Sequence, residues 1–189
     1  MVIAYDSGTG KKHKHKRRTA PIIGRPPDQW IKPPTGWNKL NVDCAFAMEA
    51  STGGAGMILR DENGAIIFAS SRHLHTCHSS LEGELIACME GISLTYVGSR
   101  STQPFILETD SQDAANMIKQ LEIDQSPTAF ITGDIKSLLV RGRHFSVACN
   151  NVAHHLAQIG HHHMRTAVWL RSGPNEIDLL HQHDCNSQG

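Results

Sequence analysis

Apolar and polar positions alternate along the chain in two distinct periods, and the change from one to the other divides it into elements. Leu40 to Met48 has strand character, Gly53-Gly54 is expected to turn, and Ala55 to Leu59 reads as a second strand. The Arg60-Asp-Glu-Asn-Gly64 stretch that follows ends in Asn-Gly, the strongest short hairpin signal, and Ala65 to Ser70 supplies the returning strand. From Ser79 the period becomes helical: Leu81, Leu85, Cys88, Ile92 and Tyr96 recur every three or four residues, with Ser79 or Ser80 as N-cap and Gly98 as a stop. Phe105 to Leu107 is a short apolar strand that a helical crossover can place parallel to the first. Helices are expected at about Ser111 to Leu121 and Pro127 to Val140, then a strand near His144 to Ala148 and a helix from about Asn150. The order βββαβααβα predicts an α/β domain with a mixed five-stranded sheet covered by helices.

Residues 1–36 lack a sustained apolar period and carry Pro21, Pro26-Pro27 and Pro33-Pro34, so they read as an extended arm before a domain over 37–184 and a short tail at 185–189. At 189 residues and 39% hydrophobic content, a little under the usual range, the chain can still bury one core. No apolar run is long enough to span a membrane and the N-terminus lacks a signal-peptide core, so a soluble intracellular protein is expected, with no membrane partner. Five cysteines in a chain of this length are read as reduced thiols.

The zero net charge hides an asymmetry. Residues 1–38 hold eight Lys/Arg against Asp6 and Asp28, about +6, and residues 39–189 hold ten against sixteen acids, about −6. The cluster formed by Lys11, Lys12, Lys14, Lys16, Arg17 and Arg18 suits a phosphate backbone or a nuclear import signal. Nuclear localisation is therefore expected, with a cytoplasmic one open, and a solvated tail is the plain alternative.

Three isolated carboxylates carry the candidate chemistry. Asp43 lies inside the first strand, Glu84 inside the first helix, and Asp110 in Glu108-Thr-Asp-Ser-Gln112, where a strand gives way to a helix. Magnesium prefers hard oxygen ligands, and a phosphate-cleaving site needs such acids gathered from separate elements at one sheet edge. Two ions can then activate water and stabilise the leaving oxygen. Each acid also has an ordinary reading: an edge residue, a solvated helical glutamate, or, for Asp110 with Ser111, a helix N-cap. His73 to His78, His161-His-His163 and His181 to Cys185 contain zinc-type side chains, but none has the paired spacing of a structural zinc site.

Taken together, Val42-Asp43, Gly54-Ala-Gly56, Arg60-Asp61 with Gly64, Glu84-Leu-Ile-Ala87 and Thr109-Asp-Ser-Gln112 resemble ribonuclease H in order and spacing. With Asn150 to Ala157, Val168-Trp169 and Pro174, the chain over about residues 30–184 is similar to the plant-type ribonuclease H-like domain of non-LTR retroelements and genes derived from them. The resemblance implies a Mg2+-dependent enzyme, with Mn2+ as a substitute, that hydrolyses the RNA strand of an RNA–DNA hybrid; a monomer is expected. It implies Asp43, Glu84 and Asp110 as metal ligands, His154 as a fourth metal-site and catalytic residue, and Gln112 as a minor-groove contact, with Cys44 and Ser111 flanking the substrate. Reading a hybrid through its wide minor groove makes physical sense, because the 2′-hydroxyls are displayed there.

Two positions depart from the family pattern. Cys44 stands where glycine usually lets substrate approach, and Val147-Ala-Cys149 replaces a common Arg-Glu pair before Asn150. The competing expectation is a catalytically silent nucleic-acid-binding module derived from a retroelement; a third is a structure-selective DNA nuclease on the same scaffold.

Overall fold

The computed structural model describes residues 3–4, 30–98, 103–120, 125–139, 144–147 and 150–186. Its centre is an antiparallel meander of β2 (Asn38–Ala47), β3 (Thr52–Arg60) and β4 (Ile66–Leu74). A crossover through α1 (Ser80–Gly98) returns the chain to β5 (Phe105–Thr109), parallel to β2, and β6 (His144–Val147) then lies parallel to β5. These are the five expected strands, and they form the expected mixed sheet. Two short edge strands extend it, β1 (Ile3–Ala4) beside β6 and β7 (Ala167–Leu170) beside β4, so the order is β1-β6-β5-β2-β3-β4-β7.

Alternation along β2 and β3 sends residues to opposite faces. Leu40, Val42, Met57 and Leu59 join Leu85, Cys88 and Ile92 of α1 in the larger core. The main helix on the other face is α4 (Asn151–His163), whose Val152, Ala153 and Leu156 pack with Ile58 and Ala69. Helices α2 (Gln112–Lys119) and α3 (Ala129–Leu139) complete the first layer, and a 3-10 turn (Asn175–Ile177) leads into α5 (Asp178–Asn186) on the second. None of the described helices is long and apolar enough to cross a membrane.

Local signals account for the ends of these elements. Ser79 caps α1 by accepting a hydrogen bond from the Glu82 N–H at 3.0 Å. Asp61 Oδ1 accepts from Asn63 N and Ala65 N, and Gly64 adopts φ +87° to close the β3–β4 hairpin.

Gly53-Gly54 departs from expectation. The β2–β3 turn is made earlier, by Met48 to Ser51, and both glycines lie inside β3. The reason is tertiary: a Cβ on Gly54 would come within 2.1 Å of Ala157 O, and one on Gly56 within 2.0 Å of Ala153 O. The glycines are a bed on which α4 lies directly against the sheet.

Packing also begins before Trp37. Trp30 is buried, donates to Asn41 Oδ1 at 3.0 Å, and lies under the Arg60 guanidinium at 3.7 Å. Arg60 is itself fully buried and pairs with Asp184 of α5 at 2.8 Å. A single polar cluster thus ties the segment ahead of β2 and the last helix to the middle of the sheet.

Candidate metal centre

The carboxylates sit at one end of the paired strands β2 and β5. The parallel register that sets Asn41 against Glu108 carries Asp110 alongside Asp43 two residues further on. Glu84 reaches the same point from the first turns of α1. Ligand oxygens of Asp43, Glu84 and Asp110 all lie within 4.8 Å of one another, the one such group of metal-capable side chains among the described residues.

Fixed donors hold the two buried acids in place. The Cys44 N–H donates to Asp43 Oδ1 at 2.7 Å and to Glu84 Oε1 at 3.1 Å, and the Thr109 hydroxyl donates to Glu84 Oε2 at 3.0 Å. Asp110 is exposed at the mouth, and Ser111 beside it caps α2 by accepting from Ala114 N. Asp110 is therefore not spent on capping. Gln112 is exposed next to it, its amide donating to Asn116.

His154 stands directly beside this group. Its Nδ1 lies 2.7 Å from Asp43 Oδ2, and its Nε2 lies 3.0 Å from the Gln158 amide nitrogen. A neutral ring satisfies both contacts with the proton on Nδ1, donating to Asp43, while Nε2 accepts from Gln158. His154 meets the centre in this way through a hydrogen bond to a carboxylate. Asn150, at the N-cap of α4, donates its side-chain N–H to Val42 O and so pins the helix start to the strand that carries Asp43.

The side chain of Cys44 is on the other face of β2. Its sulfur lies over Gly83, where an added Cβ would meet it at 2.1 Å and the Cys77 sulfur at 3.2 Å. The structure places this side chain in the core rather than against a substrate, because residues 43 and 44 must point to opposite faces of the strand. Only its N–H faces the carboxylates. The basic residues Lys11 to Arg18, and positions 148–149 of the departure before Asn150, fall outside the described residues.

The electrostatics fit a cation. Burial, followed by repulsion from Asp43, pushes the Glu84 carboxyl up to about 9, and burial likewise raises Asp43. Hard oxygen donors that cannot all ionise alone are the donor set a divalent ion neutralises.

A pH dependence follows. From about pH 5 to 9 the folded chain keeps a proton on Glu84 that the unfolded chain, with an ordinary carboxyl near 4.5, has lost. Metal-free stability therefore falls as pH rises through that window. Thermal melts in chelator across pH 5–9 should show this slope. They should also show it flattened both by Glu84→Gln and by a saturating divalent cation.

Comparison with known proteins bears on the fold. A family model described as reverse transcriptase-like matches residues 41–160. Curated proteins yield no match. Among solved structures, the chain is similar to LC11-RNase H1 isolated from compost by a metagenomic approach, at 16% identity and TM-score 0.61, covering 69% of this chain and 99% of that one. RNase H1 of the halophilic archaeon Halobacterium salinarum NRC-1 is similar at 15% identity and TM-score 0.57, covering 66% and 96%. LC11-RNase H1 in complex with an RNA/DNA hybrid aligns at 15% identity and TM-score 0.59, covering 67% and 98%. The fold is ribonuclease H-like.

Proposed function

The chain belongs to the reverse transcriptase-like family, and from that premise we propose that it is a divalent-metal-dependent endoribonuclease cutting the RNA strand of RNA–DNA hybrids. The observation that carries this reading is the meeting of Asp43, Glu84 and Asp110 within 4.8 Å at one end of the sheet. The hybrid bound to LC11-RNase H1 supports the choice of substrate.

In this reading the three carboxylates hold Mg2+, or Mn2+ in its place. When bound, two such ions supply an activated water and neutralise charge on the leaving oxygen of the phosphodiester. The chain's own contribution is preorganisation. The Cys44 N–H and the Thr109 hydroxyl fix the carboxylates before substrate arrives, so little reorientation is needed during the reaction. His154 sets the orientation of Asp43 from the solvent side and, as an imidazole, is suited to moving a proton near neutral pH. Gln112, with Ser111, lies beside Asp110 on the open side of the centre, where a minor groove would pass. Lys11, Lys12, Lys14, Lys16, Arg17 and Arg18 add sequence-independent attraction to phosphates, which weakens as salt rises.

The test is cleavage of a strand-labelled hybrid by the full chain, compared with duplex DNA and duplex RNA. The RNA strand of the hybrid should be cut in magnesium or manganese and left intact in chelator. Binding of the hybrid without cutting in either metal would indicate the silent nucleic-acid-binding module, and equal cutting of duplex DNA would indicate a DNA nuclease.

A further inference from the structure

A second cleft, of about 470 Å³, lies on the far side of α4 from the carboxylates. His163 follows His154 by nine residues, and at ~100° per residue it points about half a turn away, into this cleft. Ile159 shares the helical wall, Arg165 and Trp169 flank it from the β7 side, and Glu176 closes it from the 3-10 turn. Its floor includes Ser71 of β4, which is level with Asp43 through the pairs Asp43↔Gly56 and Gly56↔Ser71. Two strand spacings, roughly 10 Å, separate the two positions across the sheet. The cleft is therefore a neighbour of the carboxylate centre and not part of it.

Ser71 indicates that this space is built to receive something. The residue is 1% exposed, and its hydroxyl has no hydrogen-bond partner among the described residues. A buried hydroxyl left in that state is costly, and such groups are normally paired. Arg165 is exposed and takes part in none of the ion pairs of the described residues, and the Trp169 ring is half-buried. The lining therefore offers an aromatic face, a cation with a neighbouring imidazole, a free hydroxyl, and a carboxylate able to accept from an amino group. The volume is within the range of small-molecule sites.

We propose that this cleft binds a nucleotide, its base against the Trp169 indole and its phosphate on Arg165 and His163. Ser71 donates to a sugar or phosphate oxygen, and Glu176 accepts from an exocyclic amino group of the base. Stacking on an aromatic ring accepts any base, and Glu176 adds a preference for those with an exocyclic amino group, so the site selects for an amino-bearing nucleotide rather than for a sequence. The ligand is either a free mononucleotide or the end of a strand.

The proposal is independent of nuclease activity, and its test works without metal. The full chain, in chelator, is titrated calorimetrically with adenosine 5′-monophosphate, with a short single-stranded DNA, and with inorganic phosphate. Wild type should bind the mononucleotide, and Arg165→Ala, at an exposed position, should weaken it about tenfold without altering the melting temperature. Ser71→Ala should weaken it in the same direction. Oligonucleotide binding that is tighter than that of the mononucleotide and is weakened by Arg165→Ala to the same degree would identify a strand end, and tighter mononucleotide binding a free nucleotide; oligonucleotide binding indifferent to Arg165→Ala belongs to the basic arm. No binding of either ligand, binding unchanged by Arg165→Ala, or phosphate binding as tightly as the mononucleotide would overturn the proposal. A failure here leaves hybrid cleavage unaffected, so the two readings stand or fall separately.

Discussion

Replacing Asp110 by asparagine is expected to lower hybrid cleavage by about a thousandfold while leaving the chain folded. Charge neutralisation by bound metal is worth several kcal/mol in a transition state, and each 1.4 kcal/mol is a factor of ten in rate. Of the three acids, Asp110 gives the cleanest test because it is exposed. Asp43 and Glu84 are buried and accept hydrogen bonds from Cys44 N and Thr109, so changing either disturbs the fold as well as the site. Removing the Asp110 charge also relieves its two neighbours, both of which it pushes upward. The variant should accordingly melt no lower than wild type in chelator and lose most of the stabilisation that magnesium gives. Single-turnover cleavage together with melting curves with and without metal measures both effects. An unchanged rate would remove Asp110 from the metal centre.

The largest stability effect is expected away from that centre. Asp184→Ala should cost about 3–5 kcal/mol, because it strands the Arg60 guanidinium in the interior with Asn41 as its remaining hydrogen-bond partner. Burial already pushes the Arg60 pKa down, and the Asp184 carboxylate is the main influence opposing it. At roughly 2–4 °C per kcal/mol for a chain of this size, the melting temperature should fall by about 10 °C. The double variant Arg60→Met with Asp184→Leu should recover most of the loss, since a packed apolar pair pays no charge desolvation. If the single variant melts like wild type, the pair is not carrying the attachment of α5 to the sheet.

Much of this architecture was legible along the chain because the signals are local. A period of two, an Asn-Gly turn and a period near 3.6 depend only on neighbouring residues, and β2 to β6, α1 and α4 appear close to where these patterns put them. The three acids were legible for a related reason: Asp43 interrupts an apolar strand, Glu84 lies within a helical pattern and Asp110 follows a strand end, and parallel pairing of the first and fourth expected strands brings two of them together. Glycine spacing was misleading because it is ambiguous. Gly53-Gly54 has the composition of a turn, and only the approach of α4, about a hundred residues later, explains why the strand needs positions without side chains at Gly54 and Gly56.

The sequence by itself determined the class of fold, the order of its main elements and which carboxylates could meet, since backbone preference and hydrophobic period act at short range. Tertiary structure alone decided the rest: that His154 meets Asp43 through a hydrogen bond, that β7 and α5 join the fold, and that Arg60 finds Asp184 in one buried cluster with Trp30. Those outcomes depend on which surfaces come into contact between segments far apart in the chain, about a hundred residues or more for His154 with Asp43 and for Arg60 with Asp184, and no local pattern of side chains encodes that contact.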